Sequence, residues 1–146
     1  MAKRDRLIIG ISGASGVIYG IRLLEMLRNL PVETHLVMSR SAEITVAYET
    51  DWKIADIRAL ADRSYKQEDI GASISSGSFL TLGMIIAPCS VRSASESATG
   101  VTSTLLTRAA DVVLKEQRKL VLMIRESPLH LGHLRTLTAL SEMGAV

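Results

Sequence analysis

Three glycines recur at every third position near the start of the chain, in the stretch G-I-S-G-A-S-G at residues 10–16. A short apolar run precedes them, and an apolar helical pattern begins at Val17. Glycines let a backbone approach a phosphate closely, and the N–H groups and dipole of a helix start favour its negative charge. Ser12 and Ser15 add hydroxyl donors. This order of strand, turn and helix predicts a site for a phosphorylated small molecule; the alternative is a tight turn without a ligand.

The glycine spacing narrows the kind of phosphate ligand. A P-loop ends in Gly-Lys-Ser/Thr, whereas Gly16 is followed by Val17 and Ile18. A dinucleotide site has the spacing G-x-G-x-x-G and an acidic residue after the second strand. Here the spacing is G-x-x-G-x-x-G, and the second apolar run ends in Ser39 and Arg40. These differences disfavour a nucleoside triphosphate and NAD, and they leave a mononucleotide such as FMN.

Polar residues also follow the other apolar runs, at the strand ends where a doubly wound sheet binds its ligands. Ser90 comes after Pro88 and Cys89, and Arg125 and Glu126 follow the last run. Their position favours a ligand role for Arg125 and Glu126 about as much as a mutual surface ion pair, which would contribute little to stability.

Cys89 is a weaker candidate for a nucleophile, and the histidines are weaker candidates for metal ligands. No histidine near Cys89 in sequence would lower the pKa of its thiol, and free cysteines are usually buried, so we interpret it as a small buried hydrophobic residue. His130 and His133 are three residues apart on a predicted helix, but no third ligand is evident. We therefore interpret the two histidines as packing or surface residues and expect no metal site.

Apolar runs and helical patterns alternate along the whole chain. Strands are predicted over residues 6–11, 33–38, 84–87 and 120–124, and helices over 17–30, 41–49, 105–117 and 131–143. Residues 50–82 are less regular, with a short helix over 54–61 and a polar loop over 73–78. Continuously apolar strands that alternate with helices indicate an α/β fold with a parallel sheet covered on both faces.

The composition bounds the class of protein. Of 146 residues, 47% are hydrophobic and only 3% aromatic, which predicts a single domain over residues 1–146 with an aliphatic core. A net charge of +2 and the scarcity of aromatics disfavour a nucleic-acid partner. A single cysteine excludes an internal disulfide, and the apolar runs are too short for a signal peptide or a membrane span. We therefore expect a cytoplasmic protein.

Motifs along nearly the whole chain point to one family. They are G-I-S-G-A-S-G at 10–16 with Tyr19 and Gly20, E-T-H-L-V-M-S at 33–39, E-T-D at 49–51, S-I-S-S-G-S-F at 73–79, P-C-S at 88–90, L-T-R-A-A-D-V-V-L-K-E at 106–116, and R-E-S-P-L at 125–129 with His133 and Leu134. With these motifs the chain resembles the UbiX-like flavin prenyltransferases, formerly called aromatic acid decarboxylase subunits.

The resemblance implies a flavodoxin-like three-layer sandwich that binds FMN and assembles into a homododecamer with active sites between subunits. The family transfers a dimethylallyl group from dimethylallyl phosphate to N5 and C6 of reduced FMN, without a metal. The prenylated FMN then serves a UbiD-type decarboxylase of aromatic acids.

The same resemblance assigns residues to roles. It implies FMN binding by Gly13, Ala14, Ser15, Ser39, Ser90, Val91, Arg92, Ser93 and Arg125. It implies catalytic roles for Ser15, Glu49, Lys115 and Glu126, and contacts to the substrate phosphate by Arg108, Lys115 and Arg125.

The chain departs from the family pattern in two places. Polar Ser95, Glu96 and Ser97 stand where the family has an apolar helix, and Ser103 replaces its usual Asp, so we expect local disorder over residues 91–104. Residues 144–146 resemble the start of a further strand, and we expect that the family's C-terminal strand and helix are missing. The residues therefore support FMN binding more directly than turnover.

Two alternatives to a prenyltransferase stay open. One is an FMN-binding but inactive remnant or flavin carrier. The other is an FMN-dependent decarboxylase of the related cysteine-decarboxylase group, which usually carries a histidine in its first helix region. Residues 17–30 contain none.

Overall fold

The computed structural model describes residues 4–146 and has a central five-stranded sheet. Residues 1–3 lie outside the described residues. They begin the N-terminal segment that we expect not to be a signal peptide. The strands are β1 (Asp5–Ile11), β2 (Val32–Met38), β3 (Arg63–Lys66), β4 (Gly83–Cys89) and β5 (Lys119–Ile124). All neighbouring strands are parallel, in the order β3-β2-β1-β4-β5.

Six α-helices connect and cover the strands within residues 4–146. They are α1 (Val17–Leu27), α2 (Arg40–Glu49), α3 (Ile54–Leu60), α4 (Val91–Thr99), α5 (Leu105–Lys115) and α6 (Leu131–Glu142), with a short 3-10 helix at Ser73–Ser75. The longest, α6, has 12 residues. Across this described part, no helix combines the length and apolar character that crossing a membrane requires.

The sheet buries apolar side chains on both faces, as the continuous apolar runs predict. Ile9 and Leu36 pack with α1, α2 and α3 on one face. Ile8 and Met84 pack with α4, α5 and α6 on the other. Both layers are aliphatic, and the predicted three-layer, flavodoxin-like parallel sandwich is confirmed.

The order of the strands reverses between β1 and β4, which creates a crevice at their carboxyl ends. Ser12 joins the two strand ends there: its hydroxyl donates to the Pro88 carbonyl at 2.7 Å and accepts from the Ser90 N–H at 2.7 Å. Because ligands of doubly wound sheets bind at this reversal, the crevice is where the functional site is expected.

Three elements differ from the sequence prediction. The first helix ends at Leu27 rather than at residue 30. Strand β3 was not predicted, because R-S-Y-K is polar and pairs only with β2 at the edge of the sheet. The expected disorder over residues 91–104 is wrong, since α4 forms there. Its buried positions are the small residues Ser93, Ala94 and Ser97, which let the helix pack closely without large apolar side chains.

The residues after α6 lie beside β5. The Val146 N–H donates to the Leu120 carbonyl at 2.9 Å, and the Val146 carbonyl accepts from the Leu122 N–H at 2.8 Å. For Val146, this is the hydrogen-bond pattern of a parallel neighbour strand.

Candidate active site

A cavity of about 360 Å³ opens at the carboxyl ends of β1, β2 and β4. Six serine and threonine hydroxyls and two arginines contribute to its wall. The lining residues are Gly13, Ser39, Arg40, Ser41, Gln67, Ser90, Arg92, Ser93, Glu96, Thr104, Leu106 and Thr107. Hydroxyls, guanidinium groups and helix N–H groups are the donors that proteins use for phosphate monoesters, so this donor set fits the phosphate of FMN.

Two helix N-termini point into this cavity. Ser39 caps α2, because its hydroxyl accepts from the Ala42 N–H at 3.0 Å. Ser90 caps α4 in the same way, with the Ser93 N–H at 3.1 Å. Both caps have extended backbone before the first helical turn. Both helix starts line the same cavity, and the positive ends of their dipoles favour an anion there.

Gly13 leaves room for the β1–α1 loop to lie against the start of α2. A Cβ on Gly13 would lie 2.4 Å from the Ser41 Cβ, closer than real side chains come. The Thr45 hydroxyl donates to the Gly13 carbonyl at 3.0 Å and fixes the loop from α2. Glycine is therefore required at this position for the loop to form one wall of the cavity.

The start of α1 is not open to a ligand, because the Glu49 carboxylate already binds there. The Gly16 N–H donates to the Glu49 Oε1 at 2.9 Å. That hydrogen bond is the main cause of a lowered pKa of the Glu49 carboxyl. A hydrogen bond from the Ser15 side chain lowers the pKa further, and Arg125 adds a favourable charge. The position that the glycine-rich loop was predicted to offer to a phosphate is thus taken by a carboxylate of the protein.

Ser12 is also unavailable to a ligand. Its side chain is 1% exposed. Its hydroxyl is used by the Pro88 carbonyl and the Ser90 N–H. The prediction that Ser12 adds a phosphate donor is therefore wrong: the residue fixes the strand ends instead.

The predicted FMN residues fall into two groups. Five of them line the cavity: Gly13, Ser39, Ser90, Arg92 and Ser93. The other four, Ala14, Ser15, Val91 and Arg125, do not line it. Val91 faces a second cavity of about 390 Å³ between α4 and α6, and Arg92 lines both cavities.

The predicted catalytic residues are only partly brought together. Ser15 and Glu49 lie together at the start of α1, and Arg125 is near enough to add a favourable charge to Glu49. Glu126 follows Arg125 and is exposed. The Arg125 N–H donates to the Cys89 carbonyl at 3.2 Å, which places the end of β5 beside the end of β4.

Arg108 and Lys115 lie on α5, and neither lines the cavity. Helix α5 begins at the cavity and runs for 11 residues, about 16 Å, toward the opposite edge of the sheet. Lys115 is its last residue and pairs there with Glu116 at 2.9 Å, while Arg108 pairs with Asp111 at 3.1 Å. One copy of the chain therefore does not bring Lys115 to Ser15 and Glu49.

Cys89 and the two histidines have structural surroundings. Burial raises the pKa of the Cys89 thiol to about 12, which agrees with a buried hydrophobic role. His130 and His133 stack with ring centroids 3.5 Å apart, and each Nδ1 accepts the other's backbone N–H at the start of α6. Among the described residues, no group of three His, Cys, Asp or Glu side chains could share a metal ion.

Sequence reasoning missed several cavity residues. Thr104 and Thr107 cap α5 reciprocally, and the spacing T-x-x-T before an apolar run is a signal that could have located that helix start. Gln67 lies in the irregular region and accepts the Arg40 N–H at 3.0 Å through its side chain. Nothing local in the sequence indicates that contact.

A family model described as Flavoprotein matches residues 1–144. The flavin prenyltransferase UbiX of Escherichia coli (strain K12) is 60% identical over 142 residues, which cover 97% of this chain and 75% of the relative. The chain belongs to the UbiX flavin prenyltransferase family. The UbiX of Thauera aromatica is also 60% identical, over 97% of this chain and 73% of the relative. The family prediction is confirmed.

Solved structures of UbiX and UbiX-like proteins have closely similar backbones over the matched part. The AnUbiX (PadA1) complex with FMN and dimethylallyl pyrophosphate superposes with a TM-score of 0.97, at 46% identity over 99% of this chain and 77% of that one. A dodecameric FMN-dependent UbiX-like decarboxylase from Escherichia coli O157:H7 gives 0.95, at 51% identity over 97% and 78%. The cysteine decarboxylase TvaF, at 18% identity and a TM-score of 0.79, shares the fold alone.

Proposed function

We propose that this chain is a flavin prenyltransferase that transfers a dimethylallyl group to reduced FMN. The observation that carries the proposal is the hydroxyl-lined cavity at the starts of α2 and α4, in a chain that belongs to the UbiX family. The cysteine-decarboxylase alternative is less supported, because those proteins share only the fold.

The cavity would hold the FMN phosphate. Ser39, Ser90 and Ser93 offer hydroxyls or first-turn N–H groups of α2 and α4, and Arg92 offers a guanidinium at the rim. Gly13 keeps the β1–α1 loop close enough to form the facing wall. A phosphate held this way would anchor FMN at the crevice, and the start of α1 lies at the same edge of the sheet.

The start of α1 would serve the chemistry. When bound, reduced FMN supplies the electron-rich ring that accepts the prenyl group. Arg125 stands near Glu49 there and can stabilise negative charge as it develops on the departing phosphate, because a preorganised cation costs no rearrangement at that moment. Exposed Glu126, next in sequence, would accept the proton that leaves when the new ring closes.

The donor would be dimethylallyl phosphate, and its phosphate would also contact Arg108 and Lys115. Since Lys115 lies at the end of α5 away from the cavity, and Arg108 on the same helix does not line it, we propose that both reach the site of a neighbouring subunit. The UbiX-like structure from Escherichia coli O157:H7 is dodecameric, which supports the same assembly here. Exposed apolar side chains on α1 and α2, among them Tyr19, Met26 and Tyr48 at 87% exposure, offer surface for subunit contacts.

We further propose that the product passes to a UbiD-type decarboxylase of aromatic acids, in the cytoplasm. A free thiol such as Cys89 is stable in a reducing compartment, which supports this location.

Turnover tests the proposal directly. Incubation with reduced FMN and dimethylallyl phosphate, without oxygen or added metal, is expected to give a flavin carrying one extra five-carbon unit by mass spectrometry. Glu126→Gln should bind FMN but turn over about 10²–10⁴-fold more slowly, as loss of a general base does. Glu25→Gln, which changes a carboxylate paired with Arg22 on α1, is the matched control and should keep the parent rate. If the parent makes no product, the inactive carrier is the better description; if Glu126→Gln keeps the parent rate, Glu126 is not the base.

Mixed assemblies test the proposed position of Lys115. Subunits with Lys115→Met and subunits with Glu126→Gln should each be nearly inactive alone. If the two residues act from different subunits, co-refolding equal amounts restores activity at about a quarter of the sites, because those sites receive both native residues. No recovery would place both residues in one subunit's site.

A further inference from the structure

Glu96 is an acid in a cavity built for an anion. Among the described residues that line the cavity, it is the only aspartate or glutamate. Its side chain is 14% exposed, so it is largely withdrawn from solvent. A carboxylate here opposes phosphate binding unless its charge is compensated, because like charges repel strongly where water is scarce.

Three side-chain donors hold the Glu96 carboxylate. Its Oε1 accepts from the Ser103 hydroxyl at 2.6 Å and the Thr107 hydroxyl at 3.2 Å, and its Oε2 accepts from the Arg92 Nε at 3.2 Å. Burial alone would raise the pKa of Glu96, but these hydrogen bonds outweigh it and hold the pKa below its ordinary value. Glu96 is therefore negative at neutral pH.

Both arginines of the cavity already have acidic partners. Arg92 pairs with Glu96, and Arg40 pairs with Glu68 at 2.7 Å between Nε and Oε1. Each guanidinium donates to its carboxylate through Nε, so its Nη groups can still donate to a phosphate. The paired carboxylate, however, offsets the positive charge that the phosphate would otherwise meet. Glu96 is the less exposed of the two acids, so its charge is the less screened by solvent.

We propose that Glu96 limits how tightly the cavity binds the phosphate of a flavin, because it keeps Arg92 in an ion pair. This rests on the proposed function, because it takes the ligand to be FMN. The product carries the same phosphate as the FMN from which it is made. Weaker phosphate binding then allows the product to leave, at the expense of affinity for FMN.

Glu96→Gln removes the charge but keeps an oxygen that can accept from Ser103 and Thr107. It is expected to bind FMN about threefold to tenfold more tightly, the size of one partly screened charge. Riboflavin, which lacks the phosphate, should bind as it does to the parent. The tightening should shrink as salt is raised. Ser103→Ala is the matched control, because it disturbs the same hydrogen bonds without changing charge, and it should leave FMN affinity within about twofold.

Titration of FMN and riboflavin into folded parent and variants decides between the outcomes. Tighter FMN binding with unchanged riboflavin binding supports the proposal. Weaker FMN binding by Glu96→Gln, or an equal change in riboflavin binding, overturns the proposal for Glu96. As long as the parent binds FMN, that result leaves the proposed function standing. A parent that binds no FMN overturns both. Glu96→Ala, which also removes the charge and suits a helix, should shift FMN affinity in the same direction if Glu96→Gln folds poorly.

Discussion

Helices α1, α2 and α4 each follow a strand of the same sheet, α1 after a loop over residues 12–16, yet their N-termini are used differently. The start of α1 follows the glycine-rich loop and is closed by Glu49 from the end of α2. The starts of α2 and α4 are capped by their own serines and face a cavity. A glycine-rich loop therefore does not by itself locate a site for an anionic ligand. The helix start is open to such a ligand only where no carboxylate of the protein already binds its N–H groups.

The difference divides the crevice into two parts. The starts of α2 and α4 present donors and suit binding. The start of α1 presents a carboxylate with Ser15 and Arg125 nearby, which suits proton transfer and charge stabilisation. Substitutions at the two parts should therefore separate flavin binding from turnover.

The largest effect is expected where the two parts meet. Gly13→Val would bring a side chain within 2.4 Å of the Ser41 Cβ and push the loop away from the start of α2. We expect loss of bound flavin and a free energy of unfolding lower by about 1–3 kcal/mol, as overpacking costs. Flavin absorbance of the purified protein and urea unfolding measure both. Gly71→Ala, at a glycine with open space around it, is the control. A Gly13→Val protein that retains full flavin would disprove this account of the loop.

A smaller effect is expected at the binding part. Ser39→Ala and Ser90→Ala each remove a helix cap, at about 1 kcal/mol of stability. Each should also weaken FMN binding about tenfold, equivalent to 1.4 kcal/mol. Titration calorimetry with FMN and riboflavin separates the two effects, since riboflavin should lose much less. Ser95→Ala, at an exposed position of α4, is the matched control. Equal losses for both flavins would mean that only the cap was disturbed.

The smallest effect on binding is expected at the start of α1. Glu49→Gln should keep FMN affinity within about twofold, lower turnover, and lower the free energy of unfolding by about 0.3–1 kcal/mol at neutral pH. The folded state lowers the pKa of Glu49, so its contribution is present above the ordinary value of 4.5 and is lost as the pH falls through the lower folded value. Urea unfolding of parent and variant should therefore converge in acid. FMN loss as large as that of Ser90→Ala would erase the distinction between the two parts.

The sequence predicts those strands and site residues that depend on local apolar patterns. The apolar runs locate β1, β2, β4 and β5, and residues at strand ends such as Ser39 and Ser90 follow from the sheet rule. Strand β3 and helix α4 are missed because their burial is decided by neighbours: one is a polar edge strand, the other packs through small residues.

The occupant of the α1 start is missed for a related reason. Gly16 and Glu49 are 33 positions apart in sequence, and no spacing rule connects a glycine loop to the last residue of α2. The sequence therefore indicates the crevice, but not which of its helix starts stays open.

The ties between the strand ends have a consequence for the energetics of binding. Ser12 links the ends of β1 and β4, and the Ser39 N–H donates to the Ile11 carbonyl at 3.0 Å, linking the ends of β1 and β2. The walls of the crevice are thereby assembled during folding. A ligand that enters meets a preorganised receptor and orders little more than itself, so less of its interaction energy is offset by lost conformational entropy.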